Sequence, residues 1–101
     1  MKNLKDHFTA ILEVCKNCAE VGDEDDPIST GVGYEENDIR VRLSFLASKY
    51  SRDDTGRGFR VSVEEISGEY ITNDEGEDIP YSELNELSAY IEKELPSLLE
   101  D

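Results

Sequence analysis

Carboxylates are the side chains through which this chain could do chemistry, and they come in runs. Asp23-Glu24-Asp25-Asp26 and Asn73-Asp74-Glu75-Gly76-Glu77-Asp78 place acids at near-successive positions, with Glu35-Glu36 between the two runs. Such runs bind cations, either a divalent metal ion or the guanidinium and ammonium groups of another protein. Neither has the spacing of an EF-hand loop, which alternates its oxygen ligands around a central glycine and closes on a distant glutamate. Protein cations are the better match. Eighteen of the 25 acidic residues lie within residues 17–39 and 61–92, two stretches that contain no lysine or arginine. The formal charge of −15 is therefore segregated along the chain. A net charge of magnitude about 2–8 keeps a small domain soluble, and more than that costs self-repulsion in the compact state. The excess points to recognition.

Tyr34, Tyr70, Tyr81 and Tyr90 fall inside the same acidic stretches. Carboxylates beside tyrosines suit a surface that grips arginine and lysine through ion pairs and cation–π stacking. The competing reading places each ring in the core with its hydroxyl at the rim.

The other motifs have plain explanations. Cys15-Lys16-Asn17-Cys18 has redox-pair spacing, but it sits at the C-terminal end of its helix, where the dipole disfavours a thiolate. Two cysteines and one histidine do not make the four ligands of a structural zinc site within one chain. Asp54-Thr55-Gly56 is the tripeptide of aspartic proteases, but Arg52-Asp53 precedes it in place of an apolar strand. It reads as a hairpin turn. Thr30-Gly31-Val32-Gly33 looks like a phosphate loop, yet the surrounding acids would repel a phosphate. His7, the sole histidine, has no evident nucleophile partner and is read as structural.

Leu4, Phe8, Ile11, Leu12, Cys15 and Ala19 recur at helical spacing over residues 4–21. Asn3 is the expected N-cap and Gly22 the expected residue past the helix end. Residues 23–38 read as a long acidic loop with room for a short strand. Ile39, Val41, Leu43 and Phe45 then alternate with polar residues, as do Phe59, Val61 and Val63. With turn chemistry at residues 53–56, residues 39–64 form a β-hairpin. Arg40, Arg42 and Arg60 should leave its outer face toward Glu64. A short third strand is expected over residues 69–72. A last helix runs from residue 81 or 82 to 95, with Leu84, Leu87, Ile91 and Leu95 on one face, capped by Ser82 and stopped by Pro96.

The sum is a single α+β domain over residues 1–101. Its expected order is α-β-β-β-α, a three-stranded antiparallel sheet with both helices packed on one face. At 37% hydrophobic residues with clear periodicity, the chain has the material for one modest core. Charged residues interrupt the first twenty positions, and no apolar run reaches the ~20 residues of a membrane span. A soluble, cytoplasmic protein is expected, and anionic lipid and nucleic acid are poor direct partners for so negative a surface.

In size, charge and lack of catalytic apparatus the chain resembles the DNA-mimicking inhibitors that phages make against restriction or CRISPR complexes. That resemblance is compositional and rests on no motif. It implies a non-enzymatic inhibitor, without cofactor or metal, that docks on the basic surface of a nucleic-acid-binding protein or enzyme complex. The residues expected to make contact are Asp23, Glu24, Asp25, Asp26, Tyr34, Glu35, Glu36, Asp74, Glu75, Glu77 and Asp78, in loops where binding function concentrates. An immunity or antitoxin-like protein that neutralises a basic toxin enzyme would use the same chemistry. An acidic adaptor would bind instead through apolar contacts.

Overall fold

The structure, a computed structural model, describes residues 4–36, 38–52, 56–72 and 75–99. A 3-10 turn at Leu4–His7 leads into helix α1, Phe8–Cys18. Four strands follow: β1 (Ile28–Glu36), β2 (Ile39–Arg52), β3 (Gly56–Thr72) and β4 (Glu75–Asp78). Helix α2, Tyr81–Leu99, closes the chain. The sheet is an antiparallel meander in the order β1-β2-β3-β4.

The sheet therefore has four strands where three were expected. Most of the expected acidic loop at residues 23–38 is β1, whose inward residues Thr30 and Val32 are buried while Ser29, Gly31 and Gly33 face out. Glycines at the outward positions hid this strand, because they lack the β-branched or aromatic side chains by which strands are recognised. The expected strand at residues 69–72 is the far end of β3. A register shift opposite Ser44 and Phe45 leaves Glu64 as an extra residue, so the inward set passes from Val61 and Val63 to Ile66 and Tyr70. That bulge reverses the side-chain parity, which made one strand of 17 residues read as two. The fourth strand, β4, then pairs with residues 69–72.

Two helix boundaries also differ. α1 ends at Cys18, and Gly22 instead bridges to Ser48 of β2. Its amide donates to the Ala47 carbonyl at 3.0 Å, and its carbonyl accepts from Lys49 at 2.9 Å. A side chain at Gly22 would collide with the Asp26 carbonyl, so this close approach requires glycine. Pro96 lies inside α2. Proline costs a helix one hydrogen bond, but Leu95 is fully buried and Leu98 and Leu99 pack on the core, which carries the last turn past it. Asn3 and the turn residues Asp53, Asp54, Thr55, Asn73 and Asp74 lie outside the described residues.

One hydrophobic cluster joins the layers. Ile39, Val41, Leu43 and Phe45 of β2 form its centre, with Ile11, Leu12 and Cys15 of α1 and Leu84, Leu87, Ile91 and Leu95 of α2 laid over them. Helix α1 packs on β1, α2 on β3, and the helices on each other. The opposite sheet face bears Gly33, Arg42, Ser67 and Glu65, all exposed. The molecule is elongated, 52 × 22 × 21 Å, a length set by the β2–β3 ribbon.

Candidate protein-binding surface

Strand register decides which acids meet. Two adjacent rows cross the whole sheet at the end where β2 begins. One is Glu35, Arg40, Glu69 and Asp78; the next is Glu36, Ile39, Tyr70 and Glu77. Asp38 sits in the β1–β2 turn beside them, its carbonyl accepting the Ile71 amide at 3.0 Å. Six carboxylates are thus gathered at one end of the sheet, with Glu35, Glu69 and Asp78 on its open face and Glu36 and Glu77 on the side of Ile39 and the helices. From β1 to β4 the span is three strand spacings, roughly 14 Å.

One cation lies within this group. Arg40 bonds Glu69 at 3.0 Å and Glu35 at 3.4 Å, each the direct cross-strand neighbour. Glu36, Glu77 and Asp78 are all exposed. The cluster keeps a strong net negative charge. Arg40 does not reach Glu64 as expected, because Glu64 occupies the bulge and accepts a hydrogen bond from the Ser29 hydroxyl at 2.7 Å.

Of the contact residues expected from sequence, Glu35, Glu36, Glu77 and Asp78 converge. Asp23, Glu24, Asp25 and Asp26 do not. They form a tight exposed turn, with the Asp26 amide donating to the Asp23 carbonyl at 3.0 Å. Gly22 pins that turn beside Ser48, eight residues along β2 from Arg40, or roughly 26 Å. Glu75 opens β4 opposite Thr72, and Asp74 lies outside the described residues. Asp38 and Glu69 belong to the cluster although neither was singled out from sequence. Glu69 reads as a strand residue, and only the pairing of β3 with β2 and β4 shows which acids flank it.

The tyrosines behind the cluster hold the chain terminus in place. Tyr34, half-buried, has its hydroxyl 3.0 Å from His7 Nδ1, with the rings edge-on at 5.7 Å. His7 Nε2 lies 3.7 Å from Asp38 Oδ1, too far for a hydrogen bond. The Tyr70 hydroxyl accepts from the Leu4 amide at 3.0 Å and donates to Glu83 at 2.9 Å. Burial pushes the Tyr34 hydroxyl above its ordinary pKa, and the carboxylates of Glu36 and Asp38 push it further. Burial does the same for Tyr70, reinforced by Glu83 and Glu77 and opposed by the Leu4 amide. Tyr90 stacks on Phe8 with centroids 5.2 Å apart. Tyr81 is the exception, 72% exposed beside the start of α2.

The remaining motifs take the roles their surroundings dictate. Cys15 is fully buried and Cys18 exposed, both as free thiols. Burial, with Cys18 nearby, pushes the Cys15 thiol up to about 12, so it carries no thiolate at neutral pH. Thr30-Gly31-Val32-Gly33 is extended strand and forms no phosphate-cradling loop. Among the described residues, no three histidine, cysteine or acidic side chains are grouped to hold a metal ion. No described helix is long and apolar enough to cross a membrane. Comparison with family models, curated proteins and solved structures finds no match to this chain.

Proposed function

We propose that this protein is an inhibitor that acts by binding, its acidic sheet end docking on the basic nucleic-acid-binding surface of a partner protein. The observation that carries the reading is the pair of rows through Arg40 and Ile39, which brings acids from β1, β3, β4 and the β1–β2 turn to one end of the sheet, on both of its faces. Their roughly 14 Å spread is comparable to a DNA major groove, about 12 Å wide between its phosphate walls. Carboxylates on a folded scaffold offer fixed negative charge to arginines that otherwise grip phosphates. The same field speeds encounter with a basic partner. Strand residues hold these groups more rigidly than a loop would, which lowers the ordering cost of binding. Restriction and CRISPR complexes, which must expose basic grooves, are the partner class we favour. The cytoplasm suits the two free thiols.

Affinity capture from bacterial lysate tests this. A basic nucleic-acid-binding protein should be retained, released by added DNA or RNA, and lost on charge reversal of Glu77 and Asp78. Retention unaffected by salt, by nucleic acid and by that reversal would overturn the reading.

A further inference from the structure

The two edges of the sheet are finished differently. On the β3 side, β4 pairs with residues 69–72, the Ile79 amide bonds the Gly68 carbonyl at 3.1 Å, and Glu92 of α2 accepts the Val63 amide at 2.8 Å. Among the described residues no strand pairs with the outer edge of β1, and the Glu20 amide bonds the inward Thr30 hydroxyl at 3.3 Å. Ala47 and Lys49 of β2 use their backbone groups toward the β1 side, where they meet Gly22, and Ala47 is the register partner of Ile28. With a period of two and no bulge in this ladder, Ile28, Thr30, Val32, Tyr34 and Glu36 bond β2. Ser29, Gly31, Gly33 and Glu35 point their N–H and C=O groups away. All four residues are exposed, and the backbone bonds of the turns and loops leave those groups untouched. Exposed edges of this length are normally blunted by lysine, proline or a bulge, and β1 contains none within its nine residues.

The glycines strengthen the case. Side chains at Gly31 or Gly33 would meet nothing within 4 Å, so nothing in the fold calls for glycine there. Glycine inside a strand weakens it and often marks where another backbone comes close.

We propose that β1 is an augmentation edge that takes an extended, lysine- or arginine-bearing segment of the partner as a fifth strand. Charge selects that occupant. The Asp23–Asp26 turn stands before β1 and Glu35-Glu36 end it, so carboxylates flank both ends of the free edge. A second copy of this chain fits badly. Antiparallel self-pairing centred on Val32 would set Glu35 opposite Ser29 and Glu36 opposite Ile28, within three residues of the copy's Asp26, at both ends at once. The inference rests on the proposal above only for the partner's basic character; the ladder itself comes from β1.

The test reads amide exchange by NMR on the full chain, with and without a nine-residue peptide of alternating threonine and valine flanked by lysines. Exchange at Ser29, Gly31, Gly33 and Glu35 should slow by about tenfold or more, since a ladder bond closes each amide. A peptide of equal charge with proline at every second position should give no protection. Gly31→Pro and Gly33→Pro each remove an outward N–H and leave the β2 ladder intact, so thermal midpoints should hold while peptide binding falls. Absence of protection at millimolar peptide, or equal binding of the proline-broken peptide, would overturn the proposal. So would protection that appears with rising protein concentration alone, which would assign the edge to a second copy. If Gly31→Pro still captures the nucleic-acid-binding partner, the edge falls and the inhibitor reading stands. If the peptide protects β1 but no such partner is captured, the edge stands and the inhibitor reading falls.

Discussion

The Glu92 carboxylate accepts a hydrogen bond from the Val63 amide at 2.8 Å, so a side chain of α2 closes a backbone group on the outer edge of β3. A charged acceptor strengthens such a bond, and solvent exposure weakens it. Glu92→Ala should lower stability by about 1 kcal/mol in urea denaturation. The same variant should speed Val63 amide exchange more than that of its neighbours. Uniform acceleration along β3 would mean that Glu92 acts on the whole fold and not on this edge.

Two kinds of glycine sit in this sheet, and substitution separates them. A Cβ at Gly68 would lie 2.8 Å from the Arg40 carbonyl and 2.9 Å from Ile79, where backbone cannot yield cheaply. Gly68→Ala should destabilise by about 1–3 kcal/mol, the usual cost of overpacking. Gly31→Ala and Gly33→Ala meet open space. They should be neutral or stabilising by about 0.5–1 kcal/mol, because alanine leaves less freedom to lose on folding. Equal losses at all three positions would contradict the open outer face of β1.

Burial of Cys15 makes stability fall at alkaline pH. Its thiol is raised from 9.0 to about 12, so the folded chain keeps a proton that the unfolded chain gives up. Below pH 9.0 both states are protonated and the contribution is fully present. As pH rises from 9.0 toward 12, stability should decline by up to about 1.4 kcal/mol per pH unit. Tyr34 and Tyr70, also raised, lose their contribution in the same direction at higher pH. Denaturant midpoints across this range, compared between the wild type and Cys15→Ala, isolate the thiol. An identical alkaline slope in the variant would place the effect elsewhere.

Local periodicity made much of this architecture readable. The stripe Leu84, Leu87, Ile91 and Leu95 is the buried face of α2, and the alternation from Ile39 to Phe45 is the buried face of β2. What periodicity could not carry was parity across a bulge. Glu64 shifts the inward set by one, and a reader following alternate residues loses β3 at that point. β1 failed for the opposite reason, since Gly31 and Gly33 carry no side chain to alternate. The acidic cluster depends on pairings between residues distant in sequence. Glu35 meets Asp78's row only through Arg40 and Glu69, while Asp23–Asp26, nearer in sequence to Glu35, lies at the other end of β2.

Arg40 offers the sharpest separation of stability from binding. Its side chain is 42% exposed and its guanidinium is shared between Glu69 and Glu35, so water and salt screen both pairs. Exposed pairs of this kind contribute about 0.2–1 kcal/mol, and Arg40→Gln should shift the urea midpoint by no more than that implies. The local charge changes far more. Removing the one cation of its row leaves Glu35, Glu69 and Asp78 unneutralised beside Glu36 and Glu77. A basic partner should then associate faster at low salt, with the gain disappearing as ionic strength rises and screening shortens. If the partner instead binds through apolar contacts, the association rate should be indifferent to Arg40. If Arg40 itself grips a partner carboxylate, the complex should dissociate faster. Association and dissociation rates of Arg40→Gln at two salt concentrations therefore distinguish a surface that works by its net field from one that works by that single side chain.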